Sequence, residues 1–194
     1  MCKEIIAISS RKLCVNNNFY KCIENVIQDE AKYLILREKD LNIWDYGKFA
    51  NEVIEYMKKS HTEVILNLGI TSDKKEIEWL LNYTNCRKIH IPLYVINDNI
   101  LKIINEMDIV GVSVHSLEEA VKAQNMGVDY LIAGHIFDTQ CKKGIKPRGL
   151  KFLKSICNAV DIDVYGIGGI TPLNEDKVIN SGAKGICMMS KYFN

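Results

Sequence analysis

A (β/α)8 TIM barrel is the fold class this sequence predicts, and three observations predict it. Eight short apolar runs of strand length, marked by Ile5, Tyr33, Val64, Ile89, Val110, Tyr130, Val164 and Gly185, recur at intervals of 20 to 34 residues. Each interval holds one stripe of apolar residues at helical spacing, the alternation that builds a parallel sheet covered by helices. The runs are apolar nearly throughout, as expected of strands buried on both faces. Eight such units suggest that the sheet closes on itself, with polar groups at the carboxyl ends of the strands converging on one mouth. A doubly wound open sheet is the competitor, but no G-x-G-x-x-G follows the first strand. Residues 1–194 read as a single domain.

The elements follow in order. Glu4 to Ser9 is strand one, and Phe19, Cys22, Ile23, Val26 and Ile27 recur at helical spacing behind it. Tyr33 to Leu36 is strand two, tipped by Arg37-Glu38-Lys39-Asp40. Tyr46, Phe49, Ala50, Val53 and Met57 form the next helix and Glu63 to Asn67 the third strand. Asp73 with Glu76 reads as a capping box for a helix through Ile77, Leu80 and Leu81. Strand four is Lys88 to Ile91, closed by Pro92; its His90 cannot be assigned a face from periodicity and is read as structural. Asn97 or Asp98 caps the helix of Ile100, Ile103, Ile104 and Met107. Ile109 to Ser113 is strand five, with Ser113 and His115 at its tip. Ser116 and Glu119 box the helix through Ala120, Ala123 and Met126, which Gly127 ends. Asp129 to Ala133 is strand six. A helix with Leu153, Ile156, Cys157 and Val160 leads to strand seven, Ile162 to Tyr165. Thr171 as N-cap and Pro172 as first helical residue open the helix of Val178 and Ile179. Ala183 to Ser190 is strand eight, after which four residues remain, so the final helix of a complete barrel is missing or truncated.

Composition narrows the function. With 47% hydrophobic and 25% charged residues the chain is an ordinary globular domain, not a disordered or coiled-coil one. A net charge of +1 suggests neither nucleic acid nor a membrane surface as partner, so attraction for an anion must be local. Seven cysteines without C-x-x-C spacing, and no secretory segment, place the chain in the cytoplasm. His61, His90, His115 and His135 lie far apart and no zinc spacing brackets them, so no metal site is expected.

The polar groups concentrate after strands six, seven and two. Gly134 to Gly144 carries His135, Thr139, Cys141, Lys142 and Lys143 between two glycines. Such a loop suits an anionic ligand with a proton-transferring imidazole, or it is a connection with a structural histidine and a solvated lysine pair. Cys141 is either a ligand contact or inert. The cluster Gly166-Ile167-Gly168-Gly169-Ile170-Thr171-Pro172 opens a helix, the arrangement that points N–H donors and a helix dipole at phosphate. Arg37 and Lys39, two apart, point the same way from an extended chain and leave Glu38 opposite, giving either a phosphate clamp or a surface charge run.

Residues Gly111 to Ala120, Asp129 to Gly144, Gly166 to Pro172 and Met188-Met189-Ser190 resemble the thiamine phosphate synthase and TenI superfamily, TIM barrels that handle a thiazole phosphate in thiamine biosynthesis. The likeness runs from strand one to strand eight. It implies that Gly168 and Gly169, with the backbone of Met189 and Ser190, hold the thiazole phosphate. It also implies that Arg37, Lys39, Ser113, Thr139 and Lys142 stand where the synthase grips pyrophosphate. Cys141 replaces a threonine common in the synthase.

Two branches of the superfamily compete. The synthase joins a pyrimidine pyrophosphate to the thiazole phosphate with magnesium held on carboxylates, after an Asn-Asp pair and a Gly-Gln-Glu-Asp run. Here Asn67-Leu68 and Pro92-Leu93-Tyr94-Val95 stand in those places, so leucine and valine replace both metal-ligand aspartates; Asp73 and Asp98 are the nearest substitutes. The TenI-type thiazole tautomerase resembles the chain more closely, because Gly134-His135 stands where the synthase usually has Gly-Pro. The expected function is therefore a metal-independent isomerase in which His135 relays the proton that aromatises a thiazole carboxylate phosphate, with no cofactor. The alternatives are the synthase, which alone would call for Mg2+, and a non-catalytic phosphate binder or regulator. A small phosphorylated thiazole is the expected partner, and the face left by the missing helix is either covered by a second copy in a homo-oligomer or exposed, with a less stable barrel.

Overall fold

A computed structural model describes residues 3–14 and 18–193 as one closed barrel of eight parallel strands in sequence order. The strands are β1 Glu4–Ile8, β2 Tyr33–Leu36, β3 Glu63–Asn67, β4 Lys88–Pro92, β5 Ile109–Val114, β6 Tyr130–Gly134, β7 Asp163–Ile167 and β8 Gly185–Met188. Closure is direct: Glu4 to Ala7 of β1 lie in register with Gly185 to Met188 of β8. Among the described residues seven α-helices cover the outside, α1 Phe19–Gln28, α2 Ile43–Met57, α3 Lys74–Thr84, α4 Asp98–Ile104, α5 Leu117–Asn125, α6 Gly149–Cys157 and α7 Glu175–Ile179.

The two faces of the strands build two cores. Outward side chains such as Ala7, Leu34, Leu66, Ile89, Val112, Leu131, Val164 and Ile186 pack under the helices. Inward ones, Ile6, Ile8, Tyr33, Ile35, Ile65, Tyr130, Ile132, Tyr165 and Cys187, fill the barrel itself. That both faces are buried explains why the strands read as unbroken apolar runs. The tyrosines fit because glycines stand opposite them. A Cβ on Gly111 would lie 2.0 Å from Cζ of Tyr130, so Gly111→Ala is expected to cost about 1–3 kcal/mol as overpacking, read as a lower urea midpoint at unchanged slope.

Local expectations are corrected at several places, among them strand eight, which spans only Gly185–Met188, and the Ser116–Glu119 box, where Glu119 accepts from the His115 N–H instead. β7 runs on through Gly166 and Ile167, because both residues pair with β6. Thr171 and Pro172 do not start a helix: residues 172 to 174 form a turn, Asn174 Oδ1 accepts from the Thr171 N–H at 2.8 Å, and α7 begins only at Glu175. Asp73 caps α3 through the N–H groups of Lys75 and Glu76, but Glu76 turns to the Thr71 hydroxyl, which itself accepts from the Asp73 N–H. Finally, among the described residues no helix follows β8, yet the face is not left open. Phe193 is fully buried with its ring 5.6 Å from Phe19, and Tyr192 is buried and donates to Asp29 at 3.1 Å.

Candidate active site

The carboxyl ends of β2, β5, β6, β7 and β8 carry every residue expected from the sequence to touch substrate. At the tip of β2, alternation separates the charges as expected. Glu38 turns away into the protein, 2% exposed, and accepts from the Ser9 hydroxyl at 2.6 Å and from the Arg11 N–H, with the Arg11 guanidinium alongside. Asp40 pairs with Arg11 at 3.1 Å and lies 3.7 Å from Lys12. Both acids are thus committed to the β1–α1 side. Arg37 and Lys39 are left without an ion pair among the described residues, as is Lys142 from the β6–α6 loop. Burial, then the positive charges of Arg37 and Lys142, push the Lys39 ammonium below its ordinary pKa. These three cations converge from loops more than a hundred residues apart in sequence, without a carboxylate to neutralise them.

Beneath them a polar line runs into the barrel. The half-buried Ser113 hydroxyl lies 2.8 Å from Nε2 of His90, whose Nδ1 lies 3.2 Å from the hydroxyl of Tyr130. His90 is 3% exposed. Burial, helped by the charge of Arg37, pushes its pKa down to about 3, so the ring is neutral across the working range. The sequence left this histidine without a face. Register supplies it: His90 stands beside Asn67 and Gly111, two residues before Pro92, which pairs with Ser113.

The loops after β6 and β7 are fastened to one another. Ile136 N–H donates to the Ile167 carbonyl at 2.8 Å and Phe137 N–H to the Gly168 carbonyl at 3.0 Å. Gly168 and Gly169 have φ of +100° and +64°. A Cβ on Gly168 would lie 2.4 Å from that of His135, and one on Gly169 only 2.2 Å from the Asp138 carbonyl oxygen. Both glycines therefore let the two loops touch, a role the sequence had assigned to phosphate approach alone. The helix-dipole part of that expectation is withdrawn, since α7 starts six residues beyond Gly169 and spans five residues. Yet the N–H groups of Gly168, Gly169 and Ile170, and those of Met189 and Ser190 past β8, donate to no acceptor among the described residues. Free N–H groups on two neighbouring strand ends are donors of the kind that bind anions.

His135 is half-buried at the tip of β6. Its Nε2–H donates to the Ile145 carbonyl at 3.1 Å, which leaves Nδ1 as the ring's free acceptor, and its own carbonyl accepts from the Arg148 N–H at 2.9 Å. The preceding carbonyl, of Gly134, accepts from both Nδ1 of His115 at 3.0 Å and Nε of Arg148 at 3.2 Å. Neither His115 nor Arg148 was chosen from the sequence as a site residue. Thr139 is half-buried and its carbonyl accepts from the Lys142 N–H at 3.0 Å, closing the short turn Gln140–Lys142 that carries that lysine. Cys141, on this turn, is exposed and free.

The magnesium site of the synthase pattern does not fit these residues. Leu68 is fully buried and Val95 is 5% exposed, both packed in the outer core. Of the substitutes, Asp73 is spent capping α3 and Asp98 sits exposed in the first turn of α4. Among the described residues no group of three or more His, Cys, Asp or Glu is placed to hold a metal ion. Magnesium demands near-octahedral oxygen ligands, and apolar side chains supply none.

Residues 5–192 match the model of a family described as thiamine monophosphate synthase. The chain is 32% identical over 189 residues to the thiamine-phosphate synthase of Fusobacterium nucleatum, covering 97% of this chain and 88% of that protein. With the thiamine-phosphate synthase of Clostridium acetobutylicum it shares 31% over 192 residues, covering 96% of this chain and 85% of the relative. Among solved structures, the thiamine phosphate pyrophosphorylase of Pyrococcus furiosus superposes with a TM-score of 0.78 at 23% identity, over 96% of this chain and 85% of that one. The solved structure shares the barrel fold, and by the family model and these relatives the chain belongs to the thiamine monophosphate synthase family.

Proposed function

We propose that this chain is a thiamine phosphate synthase, in which a thiazole phosphate displaces pyrophosphate from a pyrimidine pyrophosphate. This reverses the order of preference reached from the sequence. The observation that carries it is the set of Arg37, Lys39 and Lys142, whose neighbouring acids Glu38 and Asp40 are both engaged by Arg11. A proton shift on a thiazole with one phosphate needs no second multivalent anion site, whereas a departing pyrophosphate does. The names of the relatives favour the same reaction.

In this reading the three cations and the Ser113 hydroxyl hold the pyrophosphate and stabilise the charge that develops on it as the bond to carbon breaks. Fixed charges aimed at developing charge are the largest single contribution in many enzymes, since they need no reorganisation during the step. The free N–H groups at Gly168, Gly169, Met189 and Ser190 hold the thiazole phosphate, with Thr139 beside the turn that carries Lys142. Because the chain lacks the carboxylates for magnesium, its own cations carry the leaving-group charge. Purified protein given pyrimidine pyrophosphate and thiazole phosphate is expected to form thiamine phosphate, measured by fluorescence after oxidation, and to keep its rate in excess chelator. No product under either condition would refute the reading.

The isomerase reading is kept as second, on one observation: His135 stands at the β6 tip with Nδ1 free to take a proton. Its test is separate. Aromatisation of the non-aromatic thiazole carboxylate phosphate, reduced about 10²–10⁴-fold in His135→Ala as expected for a lost general base, would establish it. Tight pyrophosphate binding with turnover of neither substrate would point to a binding protein.

A further inference from the structure

We infer that Tyr130, acting through His90, fixes the direction of the Ser113 hydroxyl so that Ser113 meets the bound anion as a hydrogen-bond donor. Tyr130 and His90 are then positioning residues for the pyrophosphate site, and the inference rests on the reading above.

The argument is an accounting of hydrogens. Tyr130, His90 and Ser113 form a line with spacings of 3.2 and 2.8 Å, and the first two side chains are each 3% exposed. His90 is neutral and so carries one ring N–H. If that hydrogen sat on Nδ1, it would donate to the Tyr130 oxygen. The phenolic hydrogen would then have no acceptor, because among the described residues the Tyr130 hydroxyl has no hydrogen-bond partner but His90. A buried donor left unpaired costs about 1–3 kcal/mol. With the hydrogen on Nε2 every group is satisfied. Tyr130 donates to Nδ1, and Nε2–H donates to the Ser113 oxygen. Ser113 therefore keeps its own hydrogen for an acceptor other than His90. Ser113 pairs with Pro92 at the carboxyl end of β4, the end whose neighbouring Arg37 has a charge that reaches the His90 ring.

The direction matters because a pyrophosphate oxygen only accepts. In the opposite arrangement Ser113 would give its hydrogen to His90 and turn lone pairs toward the anion. Gly111 completes the device: a Cβ there would lie 2.4 Å from the Tyr130 hydroxyl oxygen, so only glycine at 111 lets that hydroxyl reach His90.

The experiment uses the whole chain, with inorganic pyrophosphate as the probe. Long-range ¹H–¹⁵N NMR of the histidine rings is expected to show His90 protonated on Nε2. By calorimetry, Ser113→Ala is expected to weaken pyrophosphate binding about 10-fold, the size of one charge-assisted hydrogen bond. Tyr130→Phe, which removes only the hydroxyl, is expected to weaken it about 3- to 10-fold and to let the His90 tautomers mix. In the Ser113→Ala background Tyr130→Phe should add no further loss. A merely structural tyrosine would give the same loss in both backgrounds, and that result overturns the inference. So does an Nδ1-protonated His90 in the unaltered chain, a readout that needs no variant to fold. If the unaltered chain binds no pyrophosphate, the coupling reaction itself is refuted, and the tautomer still reports on the hydrogen-bonded line independently.

Discussion

Replacing Arg37 with alanine is expected to lower kcat/KM for thiamine phosphate formation by about 10²- to 10³-fold, or about 2.7–4 kcal/mol of transition-state stabilisation. The loss should fall mainly on kcat, because negative charge on the departing pyrophosphate grows as the bond breaks. The fold should be unaffected. Only the backbone of Arg37 is engaged, its N–H donating to the Ser9 hydroxyl at 2.9 Å, and the side chain forms no ion pair among the described residues. Removing one of three like charges also relieves repulsion: the Lys39 ammonium, held below its ordinary pKa by burial and by Arg37 and Lys142, should titrate higher in the variant. Steady-state kinetics with a urea melt checks both halves. Lys143→Ala, next to Lys142 but outside the site, serves as the control. Equal kinetics for Arg37→Ala and the unaltered protein would remove Arg37 from the leaving-group site.

Gly169→Ala is the second large effect, and it acts through the backbone. At φ of +64° the residue is in the left-handed region, which costs an L-residue with a Cβ about 1–2 kcal/mol. The added methyl would also lie 2.2 Å from the Asp138 carbonyl oxygen and 2.8 Å from Cβ of Phe137. Backbone cannot swing aside as a side-chain tip does, so a further cost of about 1–3 kcal/mol is expected from overpacking. The β6–α6 and β7–α7 loops must part, carrying Lys142 and the free N–H groups of Gly168 and Ile170 out of place. The expected result is a lowered melting temperature together with weaker binding of inorganic phosphate and of pyrophosphate. Loss of stability with both affinities intact would show that the loop contact is structural only.

The barrel was legible because its determinants are periodic. Eight apolar runs, each followed by a helical stripe, require no knowledge of which strand meets which. Most caps were legible for the same reason: Asn97 and Ser116 act on N–H groups two or three residues away. Thr171 failed as a cap even though its type suited the role, because Asn174 captured its N–H and moved the helix start three residues beyond Pro172. What the sequence could not supply at the strand ends was the wiring between them. Arg37 and Lys39 could be placed on one side of the chain by alternation. That Glu38 and Asp40 would be taken up by Arg11, leaving the cations bare for Lys142 to join, depends on contacts between β1, β2 and the loop after β6.

His90 marks the boundary most clearly. Its neighbours along the chain leave its face undetermined, and only the register of β4 against β5 brings it to Ser113, with Tyr130 of β6 beneath. By itself the sequence determined the fold class and the family likeness. Only the tertiary structure decided which charges go unpaired, which way His90 faces and why Gly168 and Gly169 have no side chain. The physical reason is range. Propensity and periodicity act over a few residues, whereas an unneutralised cation or a hydrogen without an acceptor is defined by everything packed around it, much of it distant along the chain.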